Sequence, residues 1–535
     1  MTRFLPFHKQ SGFPFRMVAL LPLFACFLWA QPPDRRVSSL FSPEQLPIRS
    51  NKLPDSTNGV GASVLARPEQ STSATQSAPT KQDGTPAGSA AATSDKEQKI
   101  SPIEAKELFQ SVDQILRFAS KDSLLPIKHP VKTKLTSRDE VVSYLEKSMR
   151  EDKSAQRVYR SELVLKKFGL LPRDFHLEAA VVAMLREQVA GYYDPKSKTM
   201  NLLDWVPVDQ QKPVLAHELT HALQDQSFGL EKWMKKGDVD LDKKKQLSPA
   251  DLEADEADEA REAVVEGQAE AVMVNYILAP LGRTVVNSPE TIAALDADMM
   301  EGTADSLEFK NAPIFLKESL TFPYRYGIKF VAALMKAGQD HSFAASFQNV
   351  PRTTRQIMEP NTYLSGERID PLPLPDLKKI FKNYERFDVG AIGEFDVSML
   401  IEQYADVGVS SRMYPAWRGG YYYSARPKSN PAAPLGLLYV SRWSDAEQAA
   451  QFGAIYARAL AKRYRNVQAV LREEEENPTR DLKAIDRLIG VHTWRTEEGP
   501  VVIDVQGDTV LVSESLEEGT TARLEQDVFQ ITAGK

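Results

Sequence analysis

Two histidines and a glutamate within one short run are the residues of this 535-residue chain best suited to chemistry. They form the motif His217-Glu218-Leu219-Thr220-His221. Because residues four apart lie on one face of an α-helix, both imidazoles can bind the same metal ion, with Glu218 beside them. Activation of a water by zinc needs neutral nitrogen ligands, an open coordination position and a nearby carboxylate. The motif also arises by chance, so the alternative is a surface helix with two unrelated histidines.

A second helix offers a third ligand. The sequence predicts a helix from Asp251 to Leu278 whose second half, AVVEGQAEAVMVNYIL, is almost wholly apolar. Glu266 and Glu270 lie in this half, and a carboxylate is rarely buried without a partner. We therefore predict Glu266 as a metal ligand and Glu270, one turn later, as a hydrogen-bond partner of a ligand histidine. Gly267 leaves room for close backbone approach; the alternative is a glutamate pair that faces a loop.

The first half of the same helix, DLEADEADEARE, is almost entirely acidic. We expect this half to be a solvated face, which the positive end of the helix dipole would favour. A calcium site is the alternative.

The elements that must position these residues follow from periodicity and turn signals. A helix is predicted to open at Ser101-Pro102, and further amphipathic helices are predicted over Thr136 to Phe168 and Leu177 to Val189. Gly191 to Leu203 predicts a β-hairpin. The metal-binding helix is predicted from about Asp209 to Ser227.

In combination these motifs resemble the gluzincin metallopeptidases, which bind zinc through H-E-x-x-H and a glutamate on a following helix. His217 to Ala222, with Asp225 after it, resembles the thermolysin active-site helix. Glu266 to Ala269 resembles the E-G-x-A motif of the aminopeptidase-N-like branch, and Pro323 to Gly327 resembles its P-Y-x-x-G segment. The resemblance covers Gly191 to Gly338, under a third of the chain.

The resemblance implies a role for each matching residue. Zinc would be held by His217, His221 and Glu266, and Glu218 would act as the general base. Tyr324 would stabilise the tetrahedral intermediate, with Tyr326 as its rival.

The remaining implied roles concern the surroundings of the metal. Glu270 and Asp225 would lie behind the ligands. In such peptidases the strand before the metal helix lies along the substrate, so Gly191, Tyr192 and Tyr193 are candidate substrate-binding residues; an ordinary hairpin is equally compatible. The G-x-M-E-N strand that anchors a free amino terminus is absent here, so aminopeptidase specificity is not expected.

Charge and cysteine content narrow the partner classes. The net charge of −7 and the isoelectric point near 5.7 provide no basic field for nucleic acid. Cys26 is the only cysteine, so the mature domain is predicted to have neither a disulfide nor a cysteine zinc site.

The N-terminus has the layout of a secretory signal peptide. A basic leader precedes the apolar run MVALLPLFACFLWA, and we expect cleavage after Ala30. The chain would then be exported to the periplasm, the cell envelope or the extracellular space. Leu23-Phe24-Ala25-Cys26 also resembles a bacterial lipoprotein signal, in which case a lipid on Cys26 would attach the chain to a membrane.

The predicted fold class is α+β, with a mainly helical metallopeptidase domain, a small substrate-edge sheet and a C-terminal α/β domain. The expected boundaries are 1–30 for the signal peptide, 31–100 for a disordered Ser/Thr/Ala/Pro-rich linker, 101–403 for the metallopeptidase domain and 404–535 for the C-terminal domain. In the last part, Ser444 and Glu447 predict a capping box for a helix that ends near Arg465. Val501 to Val505 and Thr509 to Val512 predict a hairpin.

The sequence therefore predicts an exported zinc metallopeptidase that acts on a peptide or protein substrate. A non-catalytic zinc-containing binding or scaffold protein of the cell envelope is the alternative. The intact Glu218 argues against it, because a purely structural zinc site does not need this residue.

Overall fold

The computed structural model describes residues 99–143, 154–188, 191–235, 246–301, 307–338, 342–470 and 481–533. The predicted signal peptide with Cys26, and nearly all of the predicted linker, lie outside these residues. The α+β class is confirmed, since many helices accompany one sheet of three strands and one of seven. Among the described residues, no helix combines the length and the apolar character that crossing a membrane would require.

The three-stranded sheet lies next to the helix that carries His217 and His221. Its strands are β1 (Lys132–Thr136), β2 (Tyr192–Asp194) and β3 (Thr199–Leu203), in the order β1-β3-β2. β2 and β3 form the predicted antiparallel hairpin, and β2 is an edge strand. β1 pairs with β3 in parallel and was not predicted, because its partner lies more than sixty residues away in the sequence.

Four long helices form the centre of the helical part. α1 (Pro102–Ser123) begins with a capping box at Ser101, and α4 (Val208–Phe228) packs against it. α6 (Pro249–Leu278) packs along both α4 and α9 (Ile314–Lys336). The contacting helices α1 and α4 begin about a hundred residues apart in the sequence.

Shorter helices complete the helical part. They are α2 (Ser154–Phe168), α3 (Leu177–Gln188), α5 (Leu230–Lys235), α7 (Pro289–Glu301), α8 (Leu307–Asn311), α10 (Ser342–Gln348), α11 (Thr354–Met358), α12 (Pro360–Leu364) and α13 (Leu377–Ile380). The predictions of helices ending at Phe168 and near Val189 are confirmed within the described residues.

The acidic first half of α6 is buried, so the predicted solvated face is wrong. Asp255, Glu256 and Asp258 are each no more than 7% exposed. Segments distant in the sequence supply the donors: Asp255 accepts a 2.9 Å hydrogen bond from the Ala391 N–H, and Glu256 accepts bonds of 2.8 and 2.7 Å from the N–H and hydroxyl of Thr354. A carboxylate with such donors can be buried, and sequence periodicity does not reveal them.

The seven-stranded sheet forms the other large part of the molecule. Its strands are β4 (Tyr384–Ala391), β5 (Trp417–Pro427), β6 (Gly436–Trp443), β7 (Val467–Val470), β8 (Gly490–Thr496), β9 (Gly499–Gln506) and β10 (Thr509–Glu514). Their order is β4-β5-β6-β10-β9-β8-β7, and each neighbouring pair is antiparallel. The predicted hairpin of β9 and β10 is confirmed. The sheet takes its first strand from before the boundary expected after residue 403; that boundary stays a prediction.

Four helices accompany this sheet: α14 (Glu394–Tyr404), α15 (Val407–Met413), α16 (Ala446–Arg463) and α17 (Glu518–Ala533). The cap of α16 differs from the prediction. Asp445, rather than Ser444, accepts the hydrogen bond from the Gln448 N–H at 2.9 Å, and Ser444 donates its hydroxyl to Asp445 instead. Two adjacent residues could both cap the helix, and the carboxylate is the stronger acceptor.

Candidate metal centre

The motif residues lie in the middle of α4, where the helix is buried on all sides. His217 and Glu218 are 0% exposed and His221 is 3% exposed. Their ligand atoms lie within 4.8 Å of one another, which the four-residue spacing of the histidines on a regular helix produces. Glu266 reaches the same point from α6 and is 3% exposed.

Three ligand atoms form a nearly equilateral triangle. His217 Nε2 lies 3.1 Å from His221 Nε2 and 3.1 Å from Glu266 Oε2, and His221 Nε2 lies 3.3 Å from Glu266 Oε2. Tetrahedral zinc with ligand distances of about 2.0–2.1 Å places its ligand atoms about 3.3–3.4 Å apart. The triangle therefore has the dimensions of one face of a zinc coordination tetrahedron.

The charges around this triangle also fit a divalent cation. Burial by itself lowers the pKa of His217, but the carboxylates of Glu266 and Glu270 outweigh it and raise the pKa to about 10. Burial by itself raises the pKa of Glu266, but His221 and His217 outweigh it and lower the pKa to about 2. Buried carboxylates thus demand positive charge at this point. A zinc ion with two neutral imidazoles supplies it, so the residues fit zinc.

Glu218 is held at one oxygen and free at the other. Its Oε2 accepts a 2.7 Å hydrogen bond from the Tyr193 N–H of β2, and its buried Oε1 has no hydrogen-bond partner among the described residues. Burial raises the pKa of this carboxyl to about 7, because the two histidines oppose the effect only in part. A carboxyl in this state can hold or release a proton near neutral pH.

The two predicted outer residues lie in different places. Glu270 Oε2 lies 3.4 Å from Nδ1 of His217, on the side of the ring away from the triangle. Asp225 instead connects the β2–β3 hairpin to the C-terminal end of α4. It accepts hydrogen bonds from the Tyr193 hydroxyl at 2.9 Å, from Lys198, and from the Leu230 N–H at 3.0 Å. The structure thus differs from the placement of Asp225 behind a ligand.

The candidate substrate-binding residues belong to the edge of the small sheet. Gly191 is buried next to Tyr192 and Tyr193, which are 6% and 4% exposed. Because Tyr193 reaches both Glu218 and Asp225, two turns apart on α4, β2 runs beside α4. A role in substrate binding stays a prediction.

The structure separates the two candidate tyrosines. The Tyr324 ring is 2% exposed, and its centroid lies 6.1 Å from that of His217. Tyr326 packs on Phe322 and Phe395, at centroid distances of 5.3 and 6.5 Å. Tyr324 is thus the tyrosine that lies beside the candidate metal ligand His217.

The crossing of α6 and α9 sets the position of this ring, and its centre is a pair of glycines. A Cβ added to Gly267 would lie 2.2 Å from the carbonyl carbon of Gly327. The predicted close backbone approach at Gly267 is confirmed, and its partner is the glycine of the P-Y-x-x-G segment.

Sequence reasoning missed one direct neighbour of the candidate ligand His221. Gln224 places Oε1 2.9 Å from Nδ1 of His221. The signal was the spacing, since a residue three positions after His221 lies on the same helix face. A neutral amide carries no charge pattern that would have drawn attention to it.

Comparisons with protein-family models, with curated proteins and with solved structures find no match to this chain. The resemblance to gluzincins therefore rests on the motif residues described above.

Proposed function

We propose that this protein is a zinc-dependent metallopeptidase of the gluzincin type. The triangle of His217, His221 and Glu266, with the free oxygen of Glu218 close by, is the observation that supports this proposal most directly. Zinc bound there would supply Lewis-acid polarisation and lower the pKa of a water.

The residues of the chain itself would perform the proton transfers. Glu218 Oε1 accepts the proton of the attacking water and later returns it to the leaving amine. The Tyr193 N–H holds Oε2 and thereby aims Oε1. Tyr324 donates its hydroxyl to the oxygen that gains negative charge, a contribution typically worth ~10²–10³ in rate.

The edge strand β2 would direct the substrate. An extended peptide can add to an edge strand of a sheet by main-chain hydrogen bonds. β2 is such an edge, and it contacts Glu218 through its own backbone. A peptide lying along β2 would therefore pass the general base. The predicted export signal would place this activity outside the cytoplasm.

A non-catalytic zinc protein is the second candidate, and burial is the observation that favours it. The side chains of His217, His221 and Glu266 are at most 5% exposed, as structural zinc ligands usually are. The unbonded buried oxygen of Glu218 weighs against it, because a structural site gains nothing from such an atom.

Zinc content and peptide cleavage by the wild type and by Glu218→Gln separate these functions. We expect both proteins to bind one zinc ion and only the wild type to cleave a peptide library. Glu308→Gln, an exposed glutamate of α8, is the matched control and should cleave normally. Equal cleavage by Glu218→Gln would contradict the mechanism. Zinc binding without cleavage by any variant would support the scaffold, and absence of zinc from the wild type would contradict both functions.

A further inference from the structure

A buried chain of amide groups runs from His221 to the short helix α10. Gln224 Oε1 contacts His221 Nδ1, and Gln224 Nε2 donates to the Val265 carbonyl at 3.0 Å and to Gln268 Oε1 at 3.1 Å. Gln268 Nε2 donates in turn to the Ser346 hydroxyl at 2.8 Å. Both glutamines and Ser346 are 0% exposed, so water does not substitute for any of these contacts.

The backbone fixes the orientation of the first amide. The Val265 carbonyl can only accept a hydrogen bond, so the group that faces it must be the NH₂ of Gln224. The reverse orientation would also set the Gln224 oxygen against Gln268 Oε1. The oxygen of Gln224 therefore faces His221.

The second amide is fixed in the same way. Gln268 Nε2 donates to the Phe343 carbonyl at 3.1 Å, which again can only accept. The hydroxyl of Ser346 donates to the same carbonyl at 3.2 Å, and its oxygen accepts the hydrogen bond from Gln268. Each donor in this series of hydrogen bonds has an acceptor. The bonds all run in one direction, from Gln224 to Gln268, from Gln268 to Ser346 and from Ser346 to the Phe343 carbonyl.

This direction determines where the proton of His221 lies. Because Gln224 presents an oxygen, Nδ1 of His221 must carry the hydrogen, and Nε2 then carries the lone pair. Nε2 is the atom that belongs to the ligand triangle. The other ligand, His217, has the carboxylate of Glu270 on its Nδ1 instead.

We propose that Gln224, held by Gln268 and Ser346, is a positioning residue that keeps His221 in the tautomer with a free Nε2 and thereby sets the zinc affinity. The inference rests on the proposed zinc site and deepens it. A neutral amide performs this task without adding a further carboxylate to a site that already contains Glu218, Glu266 and Glu270.

The test compares Gln224→Met with Gln211→Met by zinc competition against a chromogenic chelator. Gln211 is the matched control: it is 1% exposed, lies on the same helix, and hydrogen-bonds to Leu203 and Val206 rather than to a ligand. We expect Gln224→Met to weaken zinc binding ~10–100-fold, the usual effect of losing such a partner. Gln211→Met should lower stability and leave zinc affinity unchanged.

A second measurement does not depend on the folding of any variant. In ¹⁵N-histidine NMR of the zinc-loaded wild type, His221 should show a slowly exchanging Nδ1–H signal. A rapidly exchanging Nδ1–H of His221, or equal zinc affinities of Gln224→Met and Gln211→Met, would overturn the inference while leaving the metallopeptidase proposal intact. A wild type that binds no zinc would overturn both.

Discussion

Gly267→Ala is the substitution that tests most directly whether the α6–α9 crossing organises the metal centre. The added Cβ would lie 2.2 Å from the carbonyl carbon of Gly327 and 2.4 Å from its oxygen, whereas ordinary contacts are 3.4–4 Å. Both obstacles are backbone atoms, so no change of side-chain rotamer can relieve them. The two helices must move apart by about 1 Å, a displacement that a close-packed interior resists.

This displacement should cost both stability and metal binding. Overpacking typically costs ~1–3 kcal/mol, and backbone obstruction places this case near 3 kcal/mol. Glu266 precedes Gly267, and Tyr324 lies one turn before Gly327 on the opposing helix. Metal–ligand distances tolerate only about 0.2 Å, so a shift of this size also displaces Glu266 from its coordinating position.

Urea unfolding in the presence of a chelator measures the loss of stability without metal, and zinc competition measures the loss of zinc affinity. Gly519→Ala is the matched control, because Gly519 lies in helix α17 and a Cβ there has no atom within 4 Å. That variant should be as stable as the wild type or more stable by up to ~1 kcal/mol. An unchanged urea midpoint and unchanged zinc affinity for Gly267→Ala would refute the reasoning.

Three further outcomes are expected. Tyr324→Phe should lower peptide cleavage ~10²-fold at unchanged zinc content, whereas Tyr326→Phe should cleave like the wild type; equal rates for the two variants would contradict the assignment of Tyr324. Tyr193→Phe removes the hydroxyl that donates to buried Asp225 and should lower the free energy of unfolding in urea by about 2 kcal/mol. An unchanged free energy of unfolding would contradict this expectation. Burial raises the pKa of Glu256 from 4.5 to about 7, so the stability linked to its proton is present below pH 4.5 and is lost as pH rises through 7. Between pH 5 and 9 the free energy of unfolding should therefore fall more in the wild type than in Glu256→Gln, by up to about 3 kcal/mol. Parallel pH profiles of the urea midpoint for the two proteins would contradict this expectation.

Local periodicity was sufficient to predict which residues meet at the triangle. The histidines share a helix face, and Glu266 stands out as a carboxylate in an apolar run. Gly267 was informative for a similar reason, since a glycine inside a strong helix usually marks close approach. These inferences use only neighbours in the sequence and the regular geometry of one helix.

Partners from distant segments could not be predicted in this way. The acidic half of α6 resembled a solvated face, because its donors come from Thr354 and Ala391, about a hundred residues or more further along the chain. Gln224 was missed because an amide becomes informative only when the acceptors that orient it are known. Asp225 was misplaced because a carboxylate near a ligand on the same helix can equally face a neighbouring hairpin.

The position of β10 has a consequence for how the molecule is assembled. β10 lies between β6 and β9 although it follows every other strand of the sheet in the sequence. Until Glu514 has been synthesised, β4-β5-β6 and β7-β8-β9 are two separate three-stranded meanders, each with an open edge that invites pairing with other chains. The Ala391 N–H that satisfies Asp255 of α6 belongs to β4 of the first meander. A chain truncated before Thr509 would leave both meanders with an unpaired edge, and we expect it to aggregate rather than fold.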